Sequence, residues 1–513
     1  MTLTYARAMT FFPPIPKQLL KHLTIFLVLL TRVWGAEQAF AGSSDQAINP
    51  IHGYGTLARL PFREAWYGMY FQEDKIGYSH FRIEPTENRF IIHIDSLIRL
   101  TALKKTQQIS MRQRVVVQED LTLVALQSTL RINDEERRVN GIVRNNRLSV
   151  DVSVGKDKQH LELPLNDKIF HATAVSLMAP LKGLRDGATY IFYVFNEEVG
   201  RIEKVEQRVS QVHGQPGLGG AVWKVSTAIG KQTSQCWMDK KGLTVLDQGP
   251  DGSLITILED ENTAKDFLAQ KRQSRDMALE VGLVRVTTPI PDPSKIRSLV
   301  ARVKGIEPSL VAQDHRQAIT DAANYPVEGF CVRVTAENTT EMEAVNRGGE
   351  EELNPKYLSP SLTIQSDHKD IATLGRSIVS PSDAPLVKVQ KLVQWVSKNI
   401  KNSPRESFTA LSVLRAREGE CQAHANLYTA LARAVGIPTR IAIGLVYLPE
   451  SQGFLYHAWA ESYVRYWIAV DPTMNQIPAD ATHIKMDSDE DNDGGRTVLA
   501  LLGKIHIEVL HYQ

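Results

Sequence analysis

The sequence predicts a multidomain protein: a large N-terminal antiparallel β domain, a small β unit and a C-terminal α+β domain. Three observations carry this expectation. At 513 residues, the chain is too long for one core at roughly 100–200 residues per domain. From about Arg63 to Asp260 apolar residues recur at every second position, the period of a half-buried strand. After Ser366 the apolar spacing becomes helical, and short strands follow.

In the first region, Phe90, Ile92, Ile94, Ile98 and Leu100 alternate with more polar neighbours, as do Leu148, Val150, Val152 and Val154 with Ser149, Asp151 and Ser153. Asn145-Asn146 falls between two such runs and fits a tight hairpin turn, because Asn tolerates positive φ. Trp66–Phe71 and Lys75–Tyr78 read as a further hairpin with core-filling aromatics. A helical stretch near Thr263–Arg272 closes a β-rich domain expected over 60–270. The alternating Pro289, Pro291 and Pro293 predict a stiff extended linker. Strand-like runs such as Phe330–Val334 then predict a small β unit over 295–365, and Glu350-Glu351-Glu352 reads as a solvated loop. The C-terminal domain is expected over 367–513.

Composition excludes some partners. The 59 Lys and Arg nearly balance the 58 Asp and Glu, so no field favours nucleic acid. At the N-terminus, Lys17, Lys21 and His22 precede the apolar run Leu23–Leu30, and Ala39-Phe40-Ala41 stands before Gly42. This three-part pattern predicts a signal peptide over 1–41. The run is shorter than the roughly 20 apolar residues a span needs, and Arg32 interrupts it, although an uncleaved tether is the alternative. Either way the body is expected outside the cytoplasm, in the periplasm or cell envelope, with no transmembrane span after the signal.

Export sharpens the reading of the three cysteines. An odd number leaves at least one thiol unpaired within the chain. Cys236 and Cys331 lie in strand-like segments, where a small buried hydrophobe is the commoner role and a bridge between them the alternative. Cys421 follows Gly419-Glu420 at the expected start of a helix over Gln422–Val435, which Gly436-Ile437-Pro438 ends. The helix dipole and unmet N–H groups at such a position favour thiolate over thiol and predict a lowered pKa.

Strands are expected at Arg440–Leu448, Phe454–Val464 and Trp467–Val470, beside the Cys421 helix. His457 lies on the second and Asp471 ends the third, so a tight turn brings base and carboxylate together. Cys421 as nucleophile, His457 as general base and acid, and Asp471 as its orienter make a triad. The backbone N–H of Cys421 is one oxyanion donor, and Trp395 and Gln422 are candidates for the second. His424 reads as a packed helical histidine, Glu461 as the partner of Arg440, and Trp459 as core or an acyl-tunnel wall. Asp489, Asp491, Asp493 and Gly494 copy the first half of a calcium loop, but Ala500 replaces the bidentate Glu, so the cluster reads as a solvated loop. No metal or cofactor is expected.

Gly419-Glu420-Cys421, Ala434–Arg440, His457-Ala458-Trp459-Ala460-Glu461 and Trp467–Thr473, in this order and spacing, make the chain resemble the transglutaminase-like superfamily over roughly Ser380 to Ile484. Ala479–Ile484 also looks like exported bacterial members. The resemblance implies a papain-like fold with Cys421, His457 and Asp471 as its triad. The expected function is a cell-envelope thiol enzyme acting on peptide or carboxamide bonds through an acyl-thioester, as peptidase, amidase or acyltransferase, with hydrolysis preferred to cross-linking. Its substrate is expected to be a protein, peptide or cell-wall component selected by the β region. The alternative is a non-catalytic envelope binding or assembly protein, with the C-terminal fold as scaffold.

Overall fold

A computed structural model of the chain describes residues 52–488 and 503–513, apart from 72, 103–104, 213–219, 231, 250–251, 253, 270–281, 321–328, 340–353, 404 and 406. The signal-like residues 1–41, the Glu350–Glu352 run and the Asp489–Gly494 cluster lie outside the described residues. The described chain is mostly β, with a large sheet and a smaller α+β region around the Cys421 helix.

The large sheet has fifteen strands. Those from Glu64–Phe71 to Asp157–Pro164 form a meander, those from Thr189–Asn196 to Leu254–Glu259 form another, and Leu254–Glu259 pairs with Glu64–Phe71 to join them. The alternation in Arg147–Val154 is as expected: Leu148, Val150, Val152 and Val154 are buried. Asn145 and Asn146 take φ of 49° and 55° at the preceding turn, the left-handed pair a tight hairpin requires.

The sheet curls on itself. Glu197, just beyond Thr189–Asn196, accepts from Gln113 Nε2 at 2.9 Å and Ser128 Oγ at 2.7 Å, although those residues belong to strands far away in the sheet order. Cys236 and Cys331, with Cys421, are free and buried. No bridge joins them, and the small-hydrophobe reading describes both.

Four strands form a second sheet in the order Gln317–Thr320, Phe330–Thr335, Ser298–Lys304, His506–Tyr512. The segment after residue 295 thus does not form a sheet from its own strands alone. Its fourth strand comes from the far end of the chain, where Val303 pairs with Ile507. The proline stretch is no free spacer. Ile290 is 1% exposed and its N–H donates to Tyr447 Oη at 3.0 Å, while Leu283–Arg285 pairs with Gly453–Leu455 as an edge strand. Burial of Ile290 and a strand pairing outweigh the extended preference of an isolated Pro-rich segment.

In the α+β region, Thr439–Leu448, Gly453–Tyr463 and Trp467–Val470 pair antiparallel as expected, and Ile484–Asp487 adds to the outer side of the first. Gly444 permits that addition, since a Cβ there would strike the Ile484 carbonyl. Helices Lys369–Ile378, Pro385–Asn399 and Ala410–Ala416 surround the Cys421–Ala434 helix. Pro385–Asn399 buries Val389, Leu392, Val393 and Val396 on one face, the stripe its spacing predicts. The Cys421 helix is buried almost all round, with alanines at 423, 425, 430 and 432. Ala458, Ala460 and Ser462 form part of its bed, and Tyr428 Oη lies 2.7 Å from Ser462 Oγ.

Candidate active site

Cys421 opens the helix as its first residue, after the N-cap Glu420. Gly419 is required by close approach, because a Cβ there would collide with that of Ala423. The Glu420 carboxylate accepts from the N–H groups of Gln422 at 2.7 Å and Ala423 at 3.0 Å, and the Cys421 thiol donates to it at 3.4 Å.

This corrects the expectation of a lowered thiol pKa. The helix-start donors that would stabilise a thiolate are spent on the neighbouring carboxylate. Burial pushes the Cys421 thiol well above its usual value and the Glu420 charge adds to the effect, while a hydrogen bond from the Ala458 backbone opposes it. Burial likewise lifts the Glu420 carboxyl to about 7, against the pull of its backbone donors.

The strand pairing explains the second half of the site. Ala460 pairs with Val470, so Asp471 continues opposite Trp459, on the strand face that also carries His457. His457 Nε2 lies 2.8 Å from Asp471 Oδ2. Asp471 Oδ1 accepts from the N–H groups of Thr473 at 2.7 Å and Met474 at 3.1 Å. Sequence reasoning thus placed the imidazole and the carboxylate correctly against each other.

It missed what lies behind them. His483 Nε2 is 3.2 Å from the same Asp471 Oδ2, and its Nδ1 is 3.3 Å from Asp480 Oδ1. All of His457, Asp471 and His483 are 0% exposed. An imidazole with a carboxylate at each nitrogen must donate from both, which makes His483 an imidazolium. Burial alone would lower its pKa, but Asp480 and Asp471 lift it to about 9. Burial would raise the Asp471 carboxyl, yet His457 and His483 hold it well below the usual carboxylate range. The signal available was Asp480-Ala481-Thr482-His483, whose histidine finds its carboxylate partners at Asp480 and Asp471.

The other expected residues separate cleanly. His424 is buried, with Nδ1 2.8 Å from the Glu420 carbonyl and Nε2 3.2 Å from that of Ile400, a packed histidine. Glu461 accepts from Arg440 Nε at 2.7 Å, as expected, and also from Lys485 Nζ at 2.6 Å. Trp459 is 1% exposed, its ring 5.2 Å from that of His483. Of the two oxyanion candidates, the Gln422 amide donates along the helix to Asn426 Oδ1 at 2.9 Å, and Trp395 carries the Arg417 guanidinium 5.1 Å over its ring.

Among the described residues, His457, Asp471 and His483 are a grouping of metal-ligand type, their donor atoms within 4.8 Å of one another. Protons account for that proximity, since both imidazoles donate to one carboxylate oxygen. The grouping fits a hydrogen-bonded relay better than a metal centre.

The transglutaminase-like superfamily matches residues 372–472, the segment that holds the Cys421 helix, the His457 strand and Asp471. Residues 372–472 form a transglutaminase-like domain. Among solved structures the chain is similar to "a Putative Cysteine Protease from Cytophaga hutchinsonii", at 20% identity and a TM-score of 0.27, over 42% of this chain and 87% of that one. It is also similar to a "Beta-barrel-like Protein of Domain of Unknown Function" from Brucella abortus, at 11% identity and a TM-score of 0.30, over 38% and 94% of the two chains. A "putative protease" from Parabacteroides distasonis aligns at 10% identity and a TM-score of 0.17, over 68% of each. At these scores the likenesses carry no argument about activity. No curated protein matches the chain. Among the described residues no helix is long and apolar enough to cross a membrane.

The position of Glu420 in the transglutaminase-like domain yields a pH-dependent expectation. Glu420→Gln keeps an oxygen for the helix N–H groups and removes the charge beside the thiol. Alkylation of Cys421 by iodoacetamide at pH 7 should rise about tenfold, the effect of roughly one unit on the thiol pKa. The stability sign follows from the raised carboxyl pKa. Glu420 contributes stability below its unfolded pKa of about 4.3, and this is lost as pH rises through about 7. The variant should therefore lose less thermal stability than the parent between pH 5 and 8. An unchanged alkylation rate, followed by mass at Cys421, counts against the carboxylate as the suppressing group.

Proposed function

We propose that the protein is a thiol enzyme in which Cys421 attacks a peptide or carboxamide carbonyl and passes the acyl group to water or an amine. The observation that carries this reading is the 2.8 Å contact between His457 Nε2 and Asp471. Donation from Nε2 puts the lone pair of neutral His457 on Nδ1, the form a general base requires. His457 Nδ1 takes the Cys421 proton as sulfur bonds to the carbonyl carbon. The C–N bond then breaks, and the same proton goes to the leaving amine. Water, or a second amine, gives its proton to His457 as it attacks the thioester, and sulfur leaves and is reprotonated.

Asp471 holds the tautomer and supports the imidazolium. His483 acts through Asp471 and is a positioning residue, fixing the carboxylate from its far side. Because Cys421 is 0% exposed, a polypeptide reaches it only after the covering residues move. Action outside the cytoplasm rests on the signal-like residues 1–41, and selection of a protein, peptide or cell-wall substrate falls to the β region.

The buried thiol, with its raised pKa, specifically favours a second reading, in which the transglutaminase-like fold is a scaffold in an envelope binding or assembly protein. Blocked glutamine-containing peptides, incubated with the full chain with and without methylamine and followed by mass, separate the two. The expected result is deamidated, cleaved or methylamine-coupled peptide from the parent and none from Cys421→Ala. Absence of product across a broad panel, or product that survives Cys421→Ala, rejects the enzyme.

A further inference from the structure

The curled sheet encloses a cavity of about 350 Å³, far from the Cys421 site in sequence and lined by strands from both of its meanders. That volume is within the range of small-molecule sites, roughly 300–1,000 Å³. Much of the wall is apolar, including Met69, Phe81, Ile94, Ile98, Ile109 and Met111.

The polar part of the wall has one sign. Glu197, Glu198, Glu203 and Asp247 line it, and among the described residues the lining holds no Lys or Arg. Glu197 and Glu203 show how such acids are satisfied within the protein. Glu197 accepts from Gln113 and Ser128, with His171 Nε2 at 3.4 Å from its other oxygen. Glu203 accepts from Arg201 at 2.9 Å and Asn196 at 2.8 Å.

Asp247 differs. It is 3% exposed, and its Oδ2 has no hydrogen-bond partner. Among the described residues the Gln248 N–H is the donor that steadies its charge, and burial pushes its carboxyl well above the usual range. A buried acid with an unmet oxygen costs folding free energy, and a cavity wall is where such a cost has a use.

We propose that this cavity binds an apolar small molecule carrying a primary ammonium group, with the ammonium meeting Asp247 and the apolar body lying against the Met69, Ile94 and Ile109 side of the wall. An ammonium presents donors only, which suits a carboxylate that lacks them, and a ligand carboxylate would meet a wall of its own sign. The inference stands on the β region alone and does not depend on the Cys421 chemistry.

Octylamine, 1-octanol and octanoate share an apolar body and differ in the head group, so calorimetric titration of each into the full chain isolates the Asp247 contact. Octylamine should bind at least about tenfold more tightly than either of the others. Asp247→Asn, an isosteric replacement that cannot ionise to meet the ammonium, should remove that preference and leave 1-octanol binding as it was. Ile94→Trp, which fills the cavity, should weaken all three. Equal binding of octylamine and 1-octanol to the parent overturns the proposal, as does unchanged amine affinity in a folded Asp247→Asn protein or the lack of saturable amine binding. Should Asp247→Asn fail to fold, the comparison of head groups on the parent decides alone.

Discussion

Asp471→Asn is expected to lower the acylation rate by roughly 10³ to 10⁴, the scale known for the equivalent change in serine-protease triads. Asp471 Oδ2 receives hydrogen bonds from both His457 and His483. An asparagine presents either an oxygen with less charge or an N–H group to the same two nitrogens. If the amide turns its N–H toward His457, Nε2 must accept, which moves the ring proton to Nδ1 and removes the base from the thiol. If it turns its oxygen, the imidazolium formed during attack loses its counter-charge. Both outcomes raise the barrier, while Cys421 and its helix remain in place. Single-turnover acylation followed by mass is the measurement, with circular dichroism to show that the variant is folded. A rate within tenfold of the parent removes Asp471 from the mechanism.

The same geometry shows how far the sequence could be read. The places of Cys421, His457 and Asp471 in the fold were legible because each sits beside a local marker: a helix start, a strand with small neighbours, a strand end before Pro472. His483 was not, since its role depends on a chain reversal. The Asp471 to Gln476 bridge, closed by mutual backbone hydrogen bonds of 3.0 Å, turns the following segment back so that His483 meets Asp471 from behind. Glu420 was visible as a residue but not as the group that occupies the helix donors. A pKa argument from helix position alone omits the N-cap, which competes for the same N–H groups.

Long alternating runs such as Arg147–Val154 declared themselves, because a sheet buried on one face imposes its period on the residues. Short edge strands did not. Leu283–Arg285 and Ile484–Asp487 have only three and four residues, too few for a period, and exist because a longer strand offers them hydrogen bonds. The prolines at 289–293 predicted local stiffness, but not that Ile290 would be buried. The large sheet and the helices even share a buried cluster, with Ile98, Leu100 and Ile132 in the same group as Val393 and Leu411, a contact no local pattern can show.

The second sheet serves the site through a group of buried charges, and Lys485→Met should destabilise the protein by about 3–5 kcal/mol, the usual cost of breaking a buried ion pair. Lys485 is 3% exposed; its Nζ bonds Glu461 at 2.6 Å and also pairs with Asp314. Gln317 clamps its backbone, accepting from the Lys485 N–H at 2.7 Å and donating to its carbonyl at 2.6 Å. Beside it, Arg316 pairs with Glu337 at 2.5 Å and reaches the Asp480 carbonyl, and Glu337 accepts from the Ala469 N–H at 2.9 Å. Arg316, Gln317 and Glu337 therefore hold both the strand that leads to Asp471 and the turn that presents Asp480 and His483. Methionine preserves the length and apolar stem of Lys485 but leaves the Glu461 and Asp314 carboxylates short of a cation. Arg440 still satisfies part of Glu461, so the loss falls mainly on Asp314 and on the attachment of the second sheet. Two measurements test this. Urea unfolding should give the stated loss, and the acylation rate should also fall at temperatures where the variant is still folded, because the second sheet, whose Arg316 holds the Asp480 carbonyl, is less firmly attached. A variant as stable as the parent, with an equal acylation rate, would show that the second sheet does not support the Asp471 site.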